Sequence, residues 1–148
     1  MMGDFVSYKL NGAEELSAKF KQMSEKLREN IVRPAAKDAM QIVFDDAKDR
    51  ATRIDDPETK NYIPKNIALV ERKKQGQALG AVIMSVGVRK TAAGQRGGNT
   101  FYWRWVELGT EHAVAKPFIR PALANNREAV FKEFLSSAKF QLLKQGLT

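Results

Sequence analysis

The order of its hydrophobic periods constrains this chain most: apolar residues recur at helical spacing early, alternate through the middle, and return to helical spacing at the end. Ala13, Leu16, Phe20, Met23 and Leu27 lie three or four residues apart, which stacks them along one side of a helix. Asn11 stands where that helix needs a cap, and Glu14 three residues on completes a capping box. Pro34 has no amide hydrogen, so it suits the first turn of a second helix and predicts a break near residues 31–33. The second stripe is Ala36, Met40, Val43 and Ala47 with Phe44 beside it, ending before Asp56-Pro57. Met23 and Met40 read as core fillers, because a thioether adapts to irregular packing. Ahead of both helices, residues 5–10 alternate and predict a short edge strand.

Residues 55–65 hold Pro57, Pro64 and mixed charge without an apolar period, which predicts an exposed connection. Residues 66–72 and 81–88 then read as an antiparallel pair turning at Gln75-Gly76-Gln77, with Val82, Met84, Val86 and Val88 on one face. Residues 101–108 carry the densest strand signal, with Phe101, Trp103 and Trp105 on one face and Tyr102, Arg104, Val106 and Leu108 on the other. Either helices bury that aromatic face or a partner covers it. Pro121 fits the first turn of a closing helix bearing Phe131, Leu135, Ala138 and Leu142, with Val130 and Phe134 alongside, and ending at Gly146. With 148 residues the chain has room for one core. Helices and strands in blocks predict a single α+β domain over residues 1–148. Its antiparallel sheet of about four strands is packed by two N-terminal helices and one C-terminal helix.

Several function classes are removed by what the sequence lacks. It contains no cysteine and one histidine, His112, so thiolate zinc sites, cysteine nucleophiles and histidine metal sites are not expected, and no cofactor is implied. Asp45-Asp46 and Asp55-Asp56 are adjacent pairs whose side chains diverge by about 100° on a helix, beside Lys48, Arg50 and Arg53, which reads as exposed ion pairing. The glycines Gly94, Gly97 and Gly98 have no Lys-Ser/Thr ending, so they do not form a phosphate loop. No run approaches the roughly 18 apolar residues of a membrane span, and the first residues lack the features of a signal peptide. A catalytic constellation is absent, so the expectation is a protein that is not an enzyme.

Charge is uneven. The net charge is +8; residues 45–58 carry an excess of three negative charges, and residues 60–96 an excess of seven positive ones. Such a basic stretch either meets a polyanion or is a solvated loop and strand edge. Residues 89–100, rich in glycine, predict a long mobile loop carrying Arg89, Lys90 and Arg96.

Past Leu108 the residues describe a fixed corner. Gly109 permits backbone angles a strand cannot continue through, and Thr110 can bond nearby amides. Pro117 and Pro121 stiffen the approach to the last helix, while Phe118 and Ile119 staple the bend to the core. An aromatic segment ending in Glu-Leu-Gly-Thr, followed by Ala-Lys-Pro-Phe-Ile-Arg-Pro-Ala, closely resembles the neck and tail-completion family of long-tailed bacteriophages, whose members are often catalogued as phage tail components or head-tail joining proteins. The matching positions are Glu107, Gly109, Thr110, Lys116, Pro117, Phe118, Arg120 and Pro121. The spacer 111–114 departs mildly from the family pattern, and no role passes to His112.

The resemblance implies an α+β, non-catalytic virion protein, made in the bacterial host cytoplasm. It implies a homo-oligomeric ring, generally hexameric, with capsid connector or head-completion proteins on one side and tail tube or tail terminator proteins on the other. In that setting Asp55 and Asp56 of one subunit can meet Lys73 and Lys74 of the next. Arg89, Lys90 and Arg96 either line a channel and contact genomic double-stranded DNA without sequence preference, or dock on an acidic neighbouring ring. The competing reading is a stand-alone basic nucleic-acid-binding protein, suggested by a pI near 9.8.

Overall fold

In the computed structural model the described residues are 13–55, 58, 62–90 and 98–146. The elements run α1 (Ala13–Lys21), α2 (Glu25–Ile54), a 3-10 turn (Ile63–Asn66), β1 (Ile67–Glu71), α3 (Lys73–Leu79), β2 (Met84–Val88), α4 (Trp103–Leu108), α5 (Arg120–Asn125) and α6 (Arg127–Lys144). The protein is α+β, mostly helical, with one antiparallel pair among the described residues. The edge strand expected at residues 5–10, the Asn11 cap and most of the glycine-rich loop lie outside the described residues.

The long helix α2 organises everything else. Ile31, Ala35, Ala39, Val43, Ala47 and Ala51 are all buried, a row with a repeat of four. Because a helix repeats every 3.6 residues, each step of four advances the row by about 40°, so it winds about 200° around the helix. Its two ends therefore face different neighbours. Ile31 and Ala35 pack with Leu16 of α1 and with Ala138 and Leu142 of α6. Val43, Ala47 and Ala51 pack with Ile63, Ile67, Phe118 and Ala122. Four alanines in the row let neighbouring backbones approach closely.

The expected break at residues 31–33 is not there. Pro34 lies inside α2, and fully buried Ile31 and Ala35 on either side of it hold the helix through a residue that ordinarily costs about 3 kcal/mol in a helix interior. The chain breaks instead at residues 22–24, where Ser24 Oγ accepts the Leu27 N–H at 3.2 Å and caps α2. Arg28 closes the end of α1 by donating to the Phe20 and Met23 carbonyls. The stripe Leu16, Phe20, Met23 and Leu27 still packs as one cluster, across two helices.

β1 and β2 pair antiparallel as expected, with Ile67 opposite Val88 and Leu69 opposite Val86. They are joined by α3 rather than by the expected turn. Gly76 sits inside α3 because the returning chain crosses it: a Cβ there would run into the Ala81 carbonyl oxygen. Gly80, at φ 63° and ψ 36°, ends that helix in the left-handed region. The 2.8 Å bond from Arg33 Nε to Glu71 Oε1 ties α2 to the end of β1 and holds the Glu71 carboxyl below its ordinary range. The connection after α2 is exposed at Glu58 but buried at Ile63, Pro64 and Asn66.

The largest correction falls on residues 101–108, which form a turn at 101–102 leading into α4 rather than a strand. The segment is apolar at both periods, so alternation cannot distinguish the two. As a helix it turns Tyr102, Trp103 and Val106 toward the core and leaves Phe101, Trp105 and Leu108 outside. The sheet therefore has two strands among the described residues, in place of about four. The closing helix is split: Pro121 lies in the first turn of α5, and Asn126 separates it from α6. Asn126 Nδ2 donates at 2.7 Å both to Asp46 Oδ2 and to the Ala122 carbonyl, pinning the junction to α2.

Candidate functional site

The corner between α4 and α5 is built on one carboxylate. Glu107 is only 4% exposed, yet it is surrounded by donors. Its Oε1 accepts the N–H groups of Phe118 at 2.9 Å and Ile119 at 2.8 Å, and its Oε2 accepts the N–H of Arg120 at 3.1 Å. Arg120 adds Nε to Oε2 at 3.2 Å, while its Nη2 donates to the Glu107 carbonyl at 2.9 Å. Burial by itself raises the Glu107 carboxyl; the N–H groups of Ile119, Phe118 and Arg120 together with the guanidinium outweigh it and hold the group below its usual range. A carboxylate saturated in this way is an anchor for three successive amides.

The return from α4 to α5 is equally determined. Gly109 has φ 76° and ψ 170°, angles open essentially to glycine alone. A Cβ there would lie 2.8 Å from the Ala115 nitrogen. Thr110 Oγ1 accepts the His112 and Ala113 N–H groups at 3.1 and 3.0 Å, and the Lys116 N–H reaches back to the Val106 carbonyl at 2.7 Å. Phe118 is fully buried against Val43 and Ala47, while the Lys116 and Pro117 side chains are exposed. The motif positions Glu107, Gly109, Thr110, Lys116, Pro117, Phe118, Arg120 and Pro121 thus come together as one corner, set between two helices where a strand had been expected.

Two tethers carried no sequence signal, because their partners are remote in the chain. Asn66 is fully buried and donates to the Gly98 carbonyl at 2.9 Å and to Thr100 Oγ1 at 2.8 Å. It fixes the far end of the glycine-rich segment to the start of β1, while its carbonyl accepts the Arg89 N–H at 2.7 Å. Replacing Asn66 by Ala is expected to cost about 1–3 kcal/mol and to speed hydrogen exchange selectively at Trp103, whose N–H donates to the Thr100 carbonyl at 3.0 Å, measurable by mass spectrometry. The second tether is Asp55, whose Oδ2 accepts the Ile63 N–H at 2.7 Å and the Tyr102 hydroxyl at 3.1 Å. Burial, with the Asp55 charge adding to it, raises the Tyr102 hydroxyl and keeps it a donor.

Asp55 is thus engaged within its own chain, and Asp56 lies outside the described residues, as does Arg96. Lys73 and Lys74 are exposed in the first turn of α3, and Arg89 and Lys90 are exposed after β2. Among the described residues no three acidic or histidine side chains gather to hold a metal ion, and no helix is long and apolar enough to cross a membrane.

What the described surface offers is apolar. Phe101, Trp105 and Leu108 are 61%, 54% and 64% exposed at positions one helical turn apart, with the Phe101 and Trp105 rings edge to face at 5.4 Å. Val114, at the tip of the return, is 86% exposed.

Residues 14–109 match a protein-family model, HK97-gp10_like, described as "Bacteriophage HK97-gp10, putative tail-component". The match takes in Glu107 and Gly109 and stops before Thr110. No curated protein and no solved structure is matched by this chain. With about two thirds of its length covered, and the aromatic segment and the first corner residues inside that span, the chain belongs to the HK97-gp10-like family of bacteriophage tail-related proteins.

Proposed function

We propose that this protein is a non-catalytic structural subunit of the virion that assembles into a ring, hexameric in the resembling family, at the junction of head and tail. There it joins the capsid connector to the tail tube around the DNA channel. The observation that carries the proposal is the stripe Phe101, Trp105 and Leu108, held outward beside an inflexible corner. Apolar surface so presented on a small domain is stabilised by association, and a ring requires two different faces that meet in rotation. Lys73 and Lys74 form the basic side of a second, charged contact. Because the Asp55 carboxylate is taken up by Ile63 and Tyr102, its acidic side falls to Asp45 and Asp49, exposed on α2. Arg89 and Lys90, exposed after β2, face either passing DNA or an acidic neighbouring ring.

Changing Phe101 and Trp105 together to Ser tests the proposal. The expected result is a folded protein with little loss of thermal stability, whose ring formation and incorporation into particles, followed by light scattering and electron microscopy, fall at least about tenfold. Unchanged incorporation overturns the assembly role of the stripe. Tight, salt-steep DNA binding by an isolated monomer that never enters particles replaces the whole reading with that of a nucleic-acid-binding module.

A further inference from the structure

Beside the aromatic stripe the sheet and the corner enclose a cleft of about 710 Å³, within the usual range of ligand clefts. The apolar part of its lining, which serves as the floor, is Ala68 and Val70 from one face of the strand pair and, from the side packed on the core, Val88, Trp103 and Ile119. Its rim carries four arginines from four separate places in the chain: Arg72 after β1, Arg89 after β2, Arg104 on α4 and Arg120 at the start of α5. All four are exposed. The only acid lining the cleft among the described residues, Glu107, is already saturated by the corner amides and Arg120. Arg104 rests on the Trp103 ring at 5.6 Å, and Arg72 spends its Nε on Ser85 Oγ at 2.9 Å, which steadies both guanidinium groups and leaves further donors on each.

We propose that this cleft is a docking site for an extended acidic segment of a partner protein, with an apolar side chain seated on the floor and flanking carboxylates bound by the arginine rim. Guanidinium groups match carboxylates with paired N–H donors. The apolar floor sets the site apart from a phosphate-tracking surface, which has no need of buried hydrocarbon and tracks the backbone with charge. The site does not require the chain to assemble with copies of itself, but it shares Arg89 with the proposed function and rests on the acidic-partner alternative there.

Amide chemical shifts of the isotopically labelled full chain test the site, with acetyl-Glu-Asp-Leu-Glu-Asp-amide as the probe. Shifts are expected to gather at Ala68, Val70, Val88 and Trp103. Affinity should fall about tenfold or more when the probe's Leu is replaced by Ser, and similarly in the double variant Arg89→Glu, Arg104→Glu. Shifts that avoid the cleft overturn the proposal. So does equal binding of the Ser probe, which reports charge alone, and so does a short DNA duplex displacing the probe from the same amides, which makes the face one for nucleic acid. The Ser probe is read on the unaltered chain, so the test does not depend on the arginine variant folding.

Discussion

Replacing Glu107 by Ala is expected to destabilise the protein by about 3–5 kcal/mol, the range found when one partner of a buried charged network is removed. The carboxylate is 4% exposed and answers the N–H groups of Phe118, Ile119 and Arg120; without it these donors lose their acceptor and Arg120 keeps only its bond to the residue 107 carbonyl. For a domain of this size the loss corresponds to a melting temperature lower by about 10 °C or more. Glu107→Gln keeps one acceptor oxygen but turns an NH2 group toward donors, so it should recover only part of the loss. The pH dependence separates charge from shape. The folded-state value of Glu107 is lowered, so its stabilisation is fully present above the unfolded carboxylate value of about 4.3 and is lost as pH falls through the folded value. The gap between the natural protein and Glu107→Gln in denaturant unfolding should therefore be constant near neutrality and shrink below about pH 4. A gap independent of pH over that range would assign the loss to packing.

Gly109→Ala is expected to cost about 2–4 kcal/mol, through backbone strain in a region reserved for glycine and through contact with the returning chain. The two causes can be separated within the same molecule. Gly80 also has positive φ, 63°, but an added Cβ there meets nothing within 4 Å, and its angles are those left-handed helix geometry allows. Gly80→Ala should cost only about 1 kcal/mol. At Gly109 the Cβ lies 2.8 Å from the Ala115 nitrogen at φ 76°, so the return must shift and the Lys116 N–H bond to Val106 must weaken. Calorimetry gives the stability difference, and faster exchange of the Lys116 amide would locate it. Equal losses at the two glycines would remove the special status of the corner.

These two residues also show how far the sequence can be read. Gly109, Thr110, Phe118 and Pro121 could be assigned to a bend, since each acts through its own backbone or its nearest neighbours, and the structure places them in one. That Glu107 is the centre of the bend was not legible: a carboxylate amid Trp, Val and Leu does not announce that the N–H groups of residues 118–120 will surround it. Asn66 is a sharper case, because both its side-chain partners lie more than thirty residues away. The apolar stripe of α6 was legible from its 3.6-residue period, and so was the pairing of β1 with β2 from alternation. Residues 101–108 fit a strand as well as a helix, because all but Arg104 and Glu107 are apolar or aromatic and neither period stands out.

Local chemistry alone determined that the chain is α+β, that the segments of β1 and β2 pair antiparallel, and that a stiff bend precedes the closing helical segment. Those properties follow from hydrogen-bonding capacity and spacing within a few residues. Only tertiary packing decided that α2 runs unbroken through Pro34, that the aromatic segment coils, and that Phe101, Trp105 and Leu108 remain outside. In each instance the local preference is on the order of 3 kcal/mol or less apart from the proline, whose cost in a helix interior is about 3 kcal/mol or somewhat more. Burial of Ile31, Ala35 and Phe118 in contacts between remote segments outweighs it.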